Sequence, residues 1–353
     1  MLRDVLVTIG LRLFPIVRQL HAQRNTLVEE RDNLSDQLKI YVDEKETAPR
    51  EVAPVERTES RSPFWFYNSS FDPIELMKKY QCDNAVSLPG HITNYLGVHT
   101  STDFFPGILS SRGGEIEPIP FPANWHTDIA EWGAALRAVD LSGASFSVLE
   151  LGCGWGCWMN NTGAAARTVG KDVHLMGVEG DPDYIKFATS ACMTNGFSVE
   201  EFEVLHGVAA TESGVALFPK QEIAGGSWGL EPIFGATSDV REAAAVNGSH
   251  IEIPMVSLRD IVASERRFDL LHMDIQGGEV ALVSENLDLM SQSIAYVVIG
   301  THSREIEGRL IAEMSAAGWV LEMERPCIFS ITAGRTSTTV DGVQGWRNTV
   351  LLP

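Results

Sequence analysis

Between residues 145 and 156 an apolar run enters a cluster of glycines: Ser145-Phe146-Ser147-Val148-Leu149-Glu150-Leu151-Gly152-Cys153-Gly154-Trp155-Gly156. The apolar part fits a buried strand, and glycines at three alternate positions after it predict a tight turn. Glycine there lets the backbone take positive φ and come close to a ligand. The next residues, Cys157 to Val169, are rich in alanine and predict a helix. A strand, a glycine turn and a helix form the first unit of a nucleotide-binding α/β fold. The spacing is E-x-G-x-G-x-G, with Glu150 at the strand's end, and so differs from the G-x-G-x-x-G of dinucleotide sites.

A second unit follows. Asp172 to Asp181 reads as a strand with Glu179 near its end, 23 residues after Gly156. A carboxylate at that place can accept hydrogens from both hydroxyls of a ribose. Asp181-Pro182 then opens a helix to Thr194, with Asp as its cap and Pro in its first position. Further strands are expected at Glu201–Val208, Phe268–Ile275 and Ile294–Gly300, the second an apolar run typical of a central parallel strand. Trp319–Arg325 and Val340–Leu352 predict a closing antiparallel pair. Residues 221–249 and 326–339 are expected to be long loops, and Gly90 to Thr100 reads as loops as well. Ligands of open α/β sheets bind beyond the strands' carboxyl ends, which places Asp274 and His302 at the site.

These motifs resemble a known family. Glu150, Gly152, Gly154 and Gly156 resemble the first motif of class I S-adenosylmethionine (SAM) methyltransferases. Asp274, Gly277 and Glu279 resemble the D-x-E-G-x-E of the FkbM family, with Gln276 where that family carries Glu. The likeness covers roughly residues 125–330. It implies an α/β fold with a Rossmann-like sheet of seven strands, and SAM as cofactor. Cofactor contacts would come from Glu150, Gly152, Gly154, Trp155, Gly156, Glu179, Gly180, Val208, Asp274 and Gln276. The implied reaction is O-methylation of a hydroxyl on a saccharide, such as a cell-surface glycan precursor, or on a secondary metabolite. Methyl transfer needs nucleophile, methyl and sulfur in line with water excluded, and a hydroxyl needs a base. His302 is the expected base, Asp274 orients the acceptor, and His126 is the second candidate. Asp274 could instead, with His302, help hold a divalent cation, but two ligands on adjacent strands are not a site, so no metal ligands are assigned. A SAM-binding scaffold without chemistry is the alternative. A nicotinamide-dependent oxidoreductase is disfavoured by Glu150 and the glycine spacing.

The rest of the chain divides around this body. Residues 1–42 carry Leu20, Leu27, Leu34 and Tyr41 at heptad spacing, which predicts a coiled coil and a homo-oligomer. A helix docked on its own domain, or an interfacial membrane helix over residues 2–20, are the alternatives. The apolar run over residues 2–17 is too short and too charged to span a bilayer, so no transmembrane segment is expected. Residues 43–62 read as a charged flexible linker, residues 63–125 as a cap that chooses substrate, and residues 126–353 as the methyltransferase domain. The net charge is −20, which makes nucleic acid an unsuitable partner and suits a neutral or cationic substrate. Five scattered cysteines predict reduced thiols and a cytoplasmic setting.

Overall fold

A computed structural model of the chain describes residues 62–227, 229–263 and 267–353. The predicted coiled coil and all of the linker but Ser62 lie outside these residues. The described chain is built on a sheet with strands β1 (Asn68–Ser69), β2 (Ser145–Leu151), β3 (Asp172–Glu179), β4 (Phe202–His206), β5 (Phe268–Met273), β6 (Ile294–Thr301), β7 (Trp319–Arg325) and β8 (Gly342–Asn348). They lie in the order β1-β7-β8-β6-β5-β2-β3-β4. Strands β6, β5, β2, β3 and β4 run parallel. Strand β8 is antiparallel to both β6 and β7. The predicted seven strands are β2 to β8. The sheet has eight because two residues of the segment before the motif pair with the β7 edge. A two-residue strand leaves no periodic trace in sequence.

Parallel strands need helices on both faces, and the chain supplies them. They are α1 (Pro73–Lys79), α2 (Ile129–Leu141), α3 (Cys157–Thr168), α4 (Pro182–Thr194), α5 (Glu279–Ser293) and α6 (Arg304–Ala316). Side chains alternate across a strand, so β2 feeds two cores. Phe146 and Val148 pack with Trp132, Leu136 and Met159 of α2 and α3. Leu149 and Leu151 pack with Leu282 and Leu310 of α5 and α6. Strand β6 is buried along its whole length, as its central place demands.

The sequence leaves Thr127 and Asp128 both open as the cap of α2 and predicts Asp181 as the cap of α4. Asp128 accepts from the Ala130 and Glu131 amides at the start of α2, and Asp181 accepts from Asp183 and Tyr184 at the start of α4. Three expected loops are structured instead. His91–Thr93 pairs with His99–Ser101. Residues 221–249 contain a helix, Ser238–Asn247, capped by Thr237 and stopped at Gly248. Residues 326–339 hold most of a hairpin, Ile328–Thr332 with Arg335–Val340. Its turn residues Ala333 and Gly334 both take positive φ, which matches the right-handed twist of the strands. The third predicted strand also stops early, at His206. Val208–Ala210 joins a separate sheet with Gly214–Pro219 and His250–Ser257.

Helices α1 and α2 approach closely at Gly133. A Cβ there would sit 2.5 Å from Pro73 Cβ, a ring that cannot swing away. Gly133→Ala is therefore expected to destabilise the fold by about 1–3 kcal/mol. Urea unfolding should show a lower midpoint at unchanged m; an unaltered midpoint would show that the two helices can part without loss.

Candidate functional site

The sheet reverses its winding between β2 and β5, and a cavity of about 920 Å³ opens at that point, beyond their carboxyl ends. This is the place where open α/β sheets bind ligands. Its floor is the glycine turn. Gly152, Gly154 and Gly156 have φ of 71°, 52° and 76°, a region costly for any side chain. At Gly152 space also decides, because a Cβ would lie 2.5 Å from the Asp274 carbonyl oxygen.

Two buried carboxylates hold the turn. Glu150 Oε1 accepts from the Trp158 amide at 3.1 Å and Oε2 from Met159 at 2.9 Å. Both amides belong to the first turn of α3, whose free N–H groups and dipole favour negative charge. Glu179 Oε2 accepts from the Gly154 amide at 2.7 Å, and Oε1 from Asp181 at 2.8 Å. Burial pushes the Glu150 carboxyl up to about 7 and that of Glu179 up to about 6, against the amides that favour their charged forms.

The opposite wall is the end of β5. The Asp274 side chain is 45% exposed, and its Oδ1 lies 3.1 Å from His302 Nε2 at the end of β6. His302 Nδ1 lies 3.2 Å from Oε1 of Glu279, whose side chain is wholly buried. Burial alone would lower the His302 pKa, but the two carboxylates outweigh it and raise it to about 10. Both ring nitrogens of His302 face carboxylates, and the residue does not line the cavity, contrary to the expectation that it is the base there.

His126 stands in the reverse condition. Its ring packs among Trp125, Trp132 and Trp155 and lines the cavity. Burial lowers its pKa to about 4, against the pull of Glu131, so the ring is neutral. Behind it Glu131 Oε1 accepts from His272 Nε2 at 2.9 Å and from Trp158 Nε1 at 3.1 Å, while Thr127 donates to Oε2. Burial would neutralise His272, but Glu131 raises its pKa.

The cavity brings together His126, Glu150, Gly152, Gly154, Trp155, Glu179, Gly180, Val208, Asp274 and Gln276 from the expected set. Gly156 stands one step back as the N-cap of α3, and His302 stands behind Asp274. Sequence reasoning assigned no role to His272, which lines the cavity beside Glu131. A histidine inside the apolar run Phe268–Met273 was the available signal. The cavity wall also carries Asp181 and Asp341, and no lysine or arginine among its described residues.

No family model matches the chain. A protein of Jannaschia sp. (strain CCS1), named as a methyltransferase, is 43% identical over 272 residues, or 77% of this chain and 97% of that protein. Among solved structures, precorrin-6y C5,15-methyltransferase of Geobacter metallireducens GS-15 is 8% identical, with a TM-score of 0.35 over 60% of this chain and 86% of its own. Methyltransferase FkbM of Methylobacillus flagellatus KT is 11% identical, with a TM-score of 0.37 over 61% of this chain and 54% of its own.

The raised carboxyls set a pH dependence. A group that binds its proton more tightly folded than unfolded gives stability that is complete below its unfolded pKa and lost as pH rises through its folded pKa. For Glu150 the window runs from the usual 4.5 to about 7, worth about 3 kcal/mol. Thermal unfolding of the ligand-free protein should show Tm falling between pH 5 and pH 8. Glu150→Gln should flatten that slope; an unchanged slope would place the dependence on other groups.

Proposed function

The chain belongs to the methyltransferase family of its Jannaschia relative, and we propose that it transfers the methyl group of SAM to a hydroxyl of a neutral acceptor, a saccharide or glycan precursor. Glu179 beside the glycine turn carries this reading. Its two oxygens each give one lone pair to a backbone amide, and a carboxylate has roughly four such sites, so two remain for ribose hydroxyls. The carboxylate-lined wall favours the sulfonium and ammonium of SAM. A phosphorylated acceptor would meet repulsion there. The preference for a sugar hydroxyl rests on the FkbM-like Asp274, Gly277 and Glu279. The five free thiols support a cytoplasmic setting, and no described helix is long and apolar enough to cross a membrane.

In the transfer the acceptor oxygen would bond to the methyl carbon as the carbon–sulfur bond breaks, and S-adenosylhomocysteine would leave with a neutral thioether sulfur. The hydroxyl proton goes to a base. We assign that role to His126, which is neutral and lines the cavity, and the orienting role to Asp274. The aromatic rings around His126 exclude water from the reacting atoms.

Calorimetric titration with SAM should give micromolar affinity, weakened at least about tenfold in Glu179→Ala. Because the ionised Glu179 is the form that accepts both hydroxyls, Kd should rise as pH falls below about 6. No binding by the wild type, or binding indifferent to Glu179, would sink the reading. His126→Ala should lower kcat by about 10²–10⁴ with SAM affinity kept. Since His126 titrates near 4, its ionisation should leave no step in the rate between pH 5.5 and pH 8. A kcat unaffected by His126→Ala would remove it from the chemistry.

A further inference from the structure

Asp274, Glu279 and His302 meet at the carboxyl ends of β5 and β6. One donor atom from each lies within 4.8 Å of the other two. The His302 nitrogens lie 3.1 and 3.2 Å from the two carboxylates, yet Nδ1 makes no aligned hydrogen bond. Glu279 Oε1 is occupied by the Ile275 and Gly277 amides. Its Oε2 is buried and has no partner at all, in a residue with no exposed surface. A carboxylate oxygen buried in this way is costly unless something of opposite charge faces it. A proton on His302 Nδ1 faces Oε1, 3.2 Å away, and does not satisfy Oε2.

A cation does. Donor atoms bound at about 2.0–2.2 Å to one ion lie roughly 3–4.4 Å from one another, close to the separations found here. Asp274 is half exposed and can close the remaining gap by rotation. We propose that Asp274, Glu279 and one ring nitrogen of His302 hold a divalent cation. An imidazole with two carboxylates suits Mn²⁺ or Zn²⁺ better than Ca²⁺ or Mg²⁺, which prefer oxygen alone.

Three protein ligands leave positions open toward the cavity that Asp274 lines. Taken with the methyl-transfer reading, on which this step rests, the cation binds the acceptor hydroxyl and lowers its pKa. Its proton then leaves more readily to His126. A six-coordinate Mn²⁺ would keep three positions beyond these ligands, room for two adjacent hydroxyls, which favours a saccharide with a free vicinal diol.

The test uses the full chain, stripped with a chelator and free of SAM, and titrated with Mn²⁺ while the resonance of the free ion is followed by electron paramagnetic resonance. We expect about one ion per chain with micromolar affinity, weakened about tenfold or more in Asp274→Asn and in His302→Ala. Circular dichroism checks that both variants fold, and Asp274→Asn, altered at a half-exposed side chain, keeps the test valid if His302→Ala does not. Absence of binding at millimolar Mn²⁺ and Zn²⁺ overturns the proposal, as does binding that both substitutions leave unchanged. Glu179→Ala separates the two claims, since it should bind Mn²⁺ normally while losing SAM. A wild type that binds Mn²⁺ but no SAM would sink the cofactor reading and leave the cation site standing. Binding of SAM without Mn²⁺ would do the reverse.

Discussion

Two buried carboxylates taking backbone amides hold the mouth of the sheet together. Glu150 ties β2 to the first turn of α3, and Glu179 ties the glycine turn to the start of α4. Each replaces the water it lost with N–H donors that would otherwise have lacked partners. Three left-handed glycines at alternate positions make a pliable loop on their own. Anchored at both ends, the turn becomes a shelf of fixed shape. The raised carboxyl pKa values are the electrostatic consequence of building that shelf from buried acids.

The same residue type serves opposite ends on the two sides of the cavity. His126 lies among tryptophans and is neutral; His302 lies between carboxylates and is charged or bound to a cation. Nothing in the local sequence of either separates them. The difference comes from partners brought by other strands and helices, and it is why we propose His126 rather than His302 as the base. The acidic surplus of the chain follows a similar logic. Part of it lines the cavity, which is why we propose a cationic cofactor and an acceptor without phosphate there.

What was legible in sequence was local. The β2 strand, its glycine turn, Glu179 closing β3, and the caps Asp128 and Asp181 each declare themselves within a few residues, through apolar runs, positive φ or a side chain bonding its own helix. The Glu131–His272 pair joins residues 141 apart, and no spacing rule reaches that far. Glu279 was readable as a motif position, but its complete burial came only with the packing of α5. The hairpin over Ile328–Val340 has β-branched strands around Ala333-Gly334, a turn signal weaker than Asn-Gly.

The central claim is that the shelf held by Glu150 and Glu179 receives the nucleoside of SAM. A crystal structure of the full chain grown with S-adenosylhomocysteine tests it most directly. The account predicts both ribose hydroxyls on the Glu179 carboxylate, the homocysteine chain against Gly152 and Gly154, and its sulfur facing the side of Asp274 and His126. A nucleoside bound elsewhere, or a ribose turned away from Glu179, would contradict it.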